Sequence, residues 1–213
     1  EASNSLRVAN TVVSETQKKI AGFMHRRVNQ LVGNQPDLIG RLAGTHSGNF
    51  NGQVTRGSGS FDFASPAGHP YWMQLTGSWS DSAGAETRYV FGAIGTDWAI
   101  NPNLRLGMML EFDDISDTDE LSSISGTGWL VGPYVVGRFE NQPLYYEARL
   151  LYGQTDNRIS PFGTYEDQFK TDRVLASVKI AGQVDYQELT VVPSLLATYT
   201  TDTQREYTDS LGN

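Results

Sequence analysis

The chain of 213 residues contains no cysteine, which excludes disulfide frameworks, cysteine-bound metal centres and thiol nucleophiles together. Positive charge is also scarce, because 16 Lys and Arg residues stand against 24 Asp and Glu, giving a net charge of −8. Binding to a phosphate backbone requires a basic surface, so nucleic acid is not expected as a partner. Only three histidines are present, and none has the His-x-x-x-His spacing of a helical zinc site. We therefore expect no metal and no cofactor.

Long apolar runs are missing as well. No stretch of 18 or more apolar residues occurs, which excludes a membrane-spanning helix but not a membrane β-barrel, whose apolar side chains occupy alternate positions. The chain begins at Glu1 without an initiator methionine or an apolar targeting segment. We therefore expect it to be an excised part of a longer protein.

Residues 10–32 are predicted to form an amphipathic helix. Asn10 is a candidate N-cap, and Gly33 and Pro36 are expected to end the helix. Its apolar stripe, at spacings of four, four and three, is Ile20, Met24, Val28 and Leu31. Its cationic side chains are Lys18, Lys19, Arg26 and Arg27. The pattern fits ordinary packing on a core, or insertion of a cationic helix into acidic surroundings.

The segment that follows, residues 33–68, is rich in glycine, serine and asparagine and has only scattered apolar residues. Such a composition is typical of a mobile connector. The sequence thus divides into an N-terminal segment with the helix (1–32), the connector (33–68) and a strand-forming region (69–213).

From residue 69 onward, apolar and polar residues alternate with a period of two, as in half-buried antiparallel strands. The alternation is clean in four segments: 71–79, 104–113, 144–152 and 173–181. Three less regular segments complete a predicted count of seven strands: 86–100, 127–140 and 188–200. The fold class predicted from this pattern is all-β and antiparallel, with one N-terminal helix.

The connections between these strands alternate in length. Short turns are predicted at 101–103, 141–143 and 185–187, and long loops at 80–86, 114–126 and 154–170. Outer-membrane barrels have short periplasmic turns and longer external loops, whereas loop length in a soluble sandwich has no reason to follow strand parity. A membrane barrel is therefore favoured, and a soluble antiparallel sandwich or barrel that acts as a binding module is the alternative.

In a barrel of this kind the apolar positions face lipid and the charged positions face the lumen. The residues predicted to line the lumen are Arg105, Glu111, Arg138, Glu147, Arg149, Arg173 and Lys179. Trp79, Trp98 and Trp129 fall at predicted strand ends, where interfacial aromatic girdles occur. Pro133 and Pro193 conflict with fully paired strands, and we expect local bulges there.

The sequence offers little for catalysis. A cluster of acidic residues could suggest calcium, but it lacks the EF-hand register and is expected to be a solvated loop: Asp113, Asp114, Asp117, Asp119 and Glu120. Glu111 and Glu147 could mimic a catalytic pair, yet charged walls are usual in polar-lined barrels. We assign no catalytic residue and predict that the chain is not an enzyme.

Several segments together resemble a known family. They are TGSWSDSAGAETRYVFGAIGTDWAINPNLRLGMMLEFD (76–113), VGPYVVGRF (131–139), YEARLLYGQTDNRIS (146–160), FKTDRVLASVKIAG (169–182) and VVPSLLATY (191–199). This region is similar to the C-terminal translocator domain of bacterial autotransporters, which belong to type V secretion. The similarity covers about residues 69–213, with the helix at 10–32 matching the family's pore helix.

The resemblance implies a bacterial outer-membrane barrel of about twelve strands, at the cell surface, which exports or anchors an N-terminal passenger domain. The implied partners are outer-membrane lipid, the protein's own passenger domain and the outer-membrane assembly machinery. An outer-membrane structural or adhesive barrel is the alternative. The sequence departs from the family by ending after about seven strands without a terminal aromatic residue. Because single-chain barrels normally have even strand counts, we expect this fragment to lack about five strands and not to close.

Overall fold

The computed structural model describes residues 2–44, 48–82, 84–119, 122–160, 166–186 and 189–205. Two helices come first, α1 (Ala2–Gly33) and α2 (Leu38–Leu42). The strands that follow are β1 (Asn49–Thr55), β2 (Ser58–Ala64), β3 (Tyr71–Ser82), β4 (Ala85–Asn101), β5 (Leu104–Thr118), β6 (Ser123–Arg138), β7 (Leu144–Ser160), β8 (Asp167–Gly182), β9 (Val184–Tyr186), β10 (Leu189–Val191) and β11 (Ser194–Gln204).

Helix α1 is longer than predicted at its start and ends where predicted. Asn10 lies inside the helix, so its assignment as the N-cap is wrong. Residues 2–9 contain neither glycine nor proline, and nothing in them opposes continuation of the helix. At the other end, the Asn34 side chain donates from Nδ2 to the Gln30 carbonyl oxygen at 2.7 Å, just after Gly33. The apolar side of the helix is wider than the predicted stripe, because Phe23 is also fully buried.

Nine strands form one antiparallel sheet in the order β1-β2-β3-β4-β5-β6-β7-β8-β11, and β9 pairs with β10 in a separate hairpin. Within the described residues the sheet is not closed, and β1 and β11 are its two edges. The all-β antiparallel fold with an N-terminal helix is therefore confirmed. The seven strands predicted after residue 69 correspond to β3–β8 and β11.

The predicted connector contains structure that the sequence pattern did not reveal. Residues 49–64 form the hairpin β1–β2, which extends the sheet beside β3. Gly57 has φ +83, and a Cβ there would lie 2.8 Å from the Asp81 carbonyl oxygen, so the tight turn requires glycine. The hairpin resembled a linker because glycine, serine and asparagine occupy many of its positions.

The long connections are also shorter than predicted. Strand pairing continues through most of 114–126 and 154–170, leaving connections only at 119–122 and 161–166. In the outer parts of these hairpins the outer face is polar, and the inner face mixes single buried apolar residues such as Ile115 and Ile159 with polar ones. The apolar alternation used to recognise strands is therefore weak there. The turn predicted at 185–187 lies in the small β9–β10 hairpin, and Gln187 is outside the described residues.

The two prolines behave differently from the prediction. Pro133 lies in β6, where the ladder with β7 lapses at 132–133 and resumes in the same register, so no bulge forms. Pro193 precedes β11 and is not part of a strand. An irregularity does occur in β4, where the register with β5 shifts between Ala99 and Asn101.

Side chains alternate between two faces of the sheet, and we call the face that carries α1 the inner face. On β5, Met109, Glu111 and Ile115 are buried on the inner face, whereas Leu106 and Phe112 are exposed on the outer face. Phe23 and Leu31 of α1 and Leu38 of α2 pack with the inner side chains into one hydrophobic core.

The sheet curves around the end of α1. Gln74 on β3 donates from Nε2 to the Asn34 carbonyl oxygen at 2.9 Å, and Lys179 on β8 contacts Asp37 at 3.2 Å. In a flat sheet β3 and β8 would lie about 24 Å apart, since neighbouring strands are about 4.8 Å apart. Two strands so far apart in sheet order can contact residues 34 and 37 only if the sheet wraps around this segment.

Candidate functional site: the helix-binding inner face

Arg27 of α1 is buried and hydrogen-bonded to the sheet. Its side chain is 0% exposed, and Nε donates to Asp113 Oδ2 at 2.5 Å while Nη1 donates to Asn157 Oδ1 at 2.6 Å. Gly126 and Gly128 of β6 leave space for the guanidinium group. A Cβ on Gly126 would lie 2.5 Å from Arg27 Nη1, and one on Gly128 would lie 2.7 Å from Nη2. Strand β6 thus has a notch that receives the arginine.

A second buried arginine shares the same carboxylate. Arg173 on β8 donates from Nη1 to Asp113 Oδ1 at 3.1 Å and from Nε to Asp202 Oδ1 of β11 at 2.9 Å. Each carboxylate oxygen of Asp113 therefore accepts from a different arginine. The network connects α1, β5, β8 and the edge strand β11. Because buried charges are costly unless paired, each member of this network depends on the others.

Another polar cluster lies where the chain leaves α1. Arg149 donates to Glu147 Oε1 at 2.5 Å and to the Gln35 side chain at 2.8 Å, and Gln35 in turn donates to Glu111 Oε2 at 3.0 Å. The backbone N–H of Ile39, at the start of α2, donates to Glu147 Oε2 at 3.0 Å. The segment between the two helices is therefore fixed by charged side chains from β5 and β7.

Further contacts hold the two ends of the helical segment. Near the tips of β5 and β6, Lys19 donates to Ser122 Oγ at 2.7 Å and Arg26 pairs with Asp117. At the opposite end, the Arg41 guanidinium carbon lies 5.4 Å from the Trp72 ring centroid. Burial lowers the pKa of Arg41, an effect opposed by the Asp97 carboxylate. The charged contacts thus continue from the hairpin-tip end to the tight-turn end.

The outer face has the opposite character. Large apolar side chains are exposed there on consecutive strands: Met73, Leu75, Ile94, Leu106, Met108, Phe112, Val131, Leu150, Tyr152, Val178, Ile180, Leu195 and Tyr199. Such a continuous apolar surface is far larger than is usual on a soluble monomer. An inner face with buried charges and an outer face with exposed apolar residues is the reverse of a soluble sheet.

The comparisons with known proteins agree with this geometry. The family model described as the autotransporter beta-domain matches residues 71–213. The chain belongs to the autotransporter β-domain family. It is accordingly an outer-membrane translocator domain that serves a passenger domain displayed at the cell surface. No curated protein matches the chain.

The translocator domain places the sequence-predicted residues in three ways. Glu111, Glu147, Arg149 and Arg173 are buried on the inner face. Arg105 and Lys179 are partly buried and pair with Asp97 and Asp37. Arg138, at the end of β6, is exposed and donates to Asn103 Oδ1 at 3.1 Å.

The helix cations of this translocator pair with acids other than Glu111 and Glu147, the two acids among the predicted lumen residues. Arg27 binds Asp113, whereas Arg26 and Lys19 pair with Asp117 and Asp119. Lys18 is exposed. The strand parity of Asp113, the same as that of Glu111, is the signal that could have identified it as an inner residue.

The acidic cluster does not form a solvated loop. Asp113 is 5% exposed and Asp117 is half-buried, and both lie within β5. Glu120, the last member of the cluster, lies outside the described residues. In the part of the chain that the structure describes, no group of three or more metal-ligating side chains is placed to hold an ion. None of the described helices has the length and apolar character needed to cross a bilayer.

The notch on β6 gives a direct test of how α1 is held in the translocator. Gly126→Ala should displace the Arg27 guanidinium and cost about 1–3 kcal/mol, the usual penalty for overpacking. Hydrogen exchange of the amides at 20–33 should become faster. Gly52→Ala is the matched control, because a Cβ at that strand glycine meets nothing within 4 Å. Equal effects of the two variants would show that the notch does not position the helix.

Proposed function

We propose that the inner face is the lumen wall of the translocator and that α1 is its pore helix. The observation that carries this proposal is the wrapping of the sheet around residues 34–37, which are contacted from β3 and β8. A helix is about 10–12 Å wide with its side chains, and it needs a surrounding wall of many strands. In this proposal the seven predicted residues line the lumen: Arg105, Glu111, Arg138, Glu147, Arg149, Arg173 and Lys179.

The function that follows is export and subsequent anchoring of the passenger, with no catalytic step in this domain. The cationic residues of α1 hold the helix in the lumen after export, Arg27 by burial and Lys19 and Arg26 at the hairpin tips. Residues 1–32 then form the segment that joins passenger and barrel, residues 33–68 lead into the barrel, and residues 69–213 supply most of its wall.

The outer apolar surface is proposed to contact outer-membrane lipid. Trp79 and Trp129 are exposed toward the hairpin-tip half of their strands, and Trp98 toward the tight-turn end of β4. Tryptophan prefers the membrane interface, so these residues would mark its two rims. Insertion by the outer-membrane assembly machinery belongs to the same proposal.

Membrane topology provides the test. The passenger precedes α1 in the chain, and Lys19 of α1 contacts Ser122 at the tip between β5 and β6. The hairpin tips at 83–84, 119–122 and 161–166 should therefore face the exterior, where the passenger is displayed, and the connections at 102–103, 139–143 and 183–193 should face the periplasm. In intact cells producing the full-length protein, Thr118→Cys should react with an impermeant maleimide, whereas Gln142→Cys should react only after the outer membrane is opened. Both positions are exposed in the structure. Labelling of both residues in intact cells would contradict the proposed orientation.

A further inference from the structure

The inner face is divided into two chemically different walls. On β5–β8 it carries the charged and apolar residues that hold α1. On β1–β3 the inner positions, fixed by the ladder, carry mostly neutral hydroxyl and amide groups, with one carboxylate, Asp62, between Asn51 and Thr76. We call this second surface the neutral wall and define it by Asn51, Gln53, Thr55, Ser60, Thr76 and Ser78.

Helix α1 leaves the neutral wall uncovered. Asn51, Gln53, Thr55 and Ser60 are exposed, and Thr76 and Ser78 are only half-buried. On this side of the sheet Gln74, which lies on β3 beyond the wall, contacts the end of α1. The side chains of the neutral wall therefore border the space beside the docked helix but do not hold the helix.

The carboxylate within this wall already accepts hydrogen bonds from neutral groups. Asp62 accepts from Asn49 Nδ2 at 2.5 Å and from Thr76 Oγ1 at 3.1 Å. The described part of the neutral wall consequently presents neutral hydrogen-bonding groups, a single carboxylate that two of these groups hold, and no large apolar side chain. It extends over the seven residues of β1, which span about 23 Å, close to the roughly 25 Å apolar height of an outer-membrane barrel.

Such a surface fits an extended polypeptide that moves along it. Hydroxyl and amide groups can donate to or accept from backbone groups of any sequence. The opposite wall would retain a moving chain, because its arginines and carboxylates attract charged side chains and its core residues attract apolar ones. We propose that the exported passenger segment passes along the neutral wall on β1–β3, while β5–β8 are reserved for docking α1. This inference rests on the proposed function in export.

Disulfide crosslinking of a stalled export intermediate tests the route. The full-length protein would carry a passenger stalled by a folded domain, a single cysteine in the segment within the barrel, and a second cysteine at Ser60 or Ser78. Ser177→Cys on β8 is the matched control, since Ser177 is an inner residue of the helix-binding wall. We expect crosslinking at Ser60→Cys and Ser78→Cys to exceed that at Ser177→Cys by at least fivefold, and to disappear when the stall is released.

Two results would overturn the inference in different ways. If a cysteine-free, unstalled passenger becomes accessible to external protease but the stalled, cysteine-bearing passenger crosslinks equally or preferentially to Ser177→Cys, the route along the neutral wall is wrong and the export function stands. If that passenger never reaches the surface in cells where the barrel is inserted and folded, the export function fails and the route fails with it.

Discussion

Asp113→Asn is expected to be the most damaging conservative substitution on the inner face, with a cost of about 3–5 kcal/mol, the usual result of removing one partner from a buried ion pair. Both oxygens of Asp113 accept from buried guanidinium groups, at 2.5 Å from Arg27 and 3.1 Å from Arg173. An asparagine removes the negative charge and replaces one acceptor oxygen by a donor NH₂ group. The one remaining oxygen can occupy only one of the two acceptor positions, so either Arg27 or Arg173 loses this acceptor.

The effect should be visible both in stability and at the helix. We expect the denaturant midpoint of the folded domain to fall, and amides 20–33 of α1 to exchange faster than in the unmodified protein. Asp114→Asn is the matched control, because Asp114 is the next residue on β5 but belongs to the opposite face and is only half-buried. The prediction fails if the two variants lower the midpoint by the same amount.

The energetic coupling can be measured separately. In a double-mutant cycle, Arg27→Gln and Asp113→Asn together should cost less than the sum of the two single changes, because the pair leaves fewer buried charges without partners. Arg173 keeps its contacts with Asp202 in all these variants. The cycle therefore isolates the contact between helix and sheet from the contact between β8 and β11.

The sequence predicted the features that depend on neighbouring residues, and it missed those that depend on residues far apart in the chain. Alternation with a period of two is a local property, and it correctly distinguished inner Glu111 and Arg149 from outer Leu106 and Leu150. The pairing of Arg27 with Asp113 joins residues 86 positions apart and depends on how the sheet curves. No local pattern contains that information.

The errors have a common physical origin. Hairpin β1–β2 was taken for a connector because it is rich in glycine, serine and asparagine, and the outer parts of β5–β8 were taken for loops because their outer face is polar and their inner face is only partly apolar. Hydrophobic alternation reveals a strand only where one face of the strand contacts an apolar environment. Where a strand extends beyond that apolar environment, or faces a polar interior, it remains hydrogen-bonded to its neighbours but its sequence no longer alternates between apolar and polar residues.

Asp113 illustrates how two correct observations can conflict. It follows the inner parity of Glu111, but it also begins a run rich in acidic residues that favoured a solvated loop. In the structure parity prevails, because Arg27 and Arg173 supply the positive charge that allows the carboxylate to be buried. The space for Arg27 comes partly from Gly126 and Gly128, two positions that the sequence pattern did not connect with any function.

The outer face leads to the second large expected effect. Leu106→Arg and Leu150→Arg should each destabilise the membrane-inserted domain by about 2–4 kcal/mol, the cost of an arginine near the bilayer midplane on the lipid face of a barrel. Both leucines are exposed, by 44% and 57%, on strands that lie in the middle of the sheet. Refolding into lipid vesicles and the denaturant midpoint in those vesicles would measure the loss.

An arginine at a matched position on the inner face serves as the control. It distinguishes the cost of placing a charge in lipid from the cost of adding an arginine to the domain at all. Asn51→Arg adds the same side chain at an exposed inner position of β1, where it can remain hydrated, and should change the free energy of unfolding by less than about 1 kcal/mol. Ser177, which parity alone would also nominate, is unsuitable because it is only 7% exposed and an arginine there would not fit. In detergent-free aqueous solution a soluble sheet would show no such difference, since an arginine at any of these three exposed positions would remain hydrated. Equal midpoints for Leu106→Arg, Leu150→Arg and Asn51→Arg in vesicles would mean that the outer apolar face is not in contact with lipid.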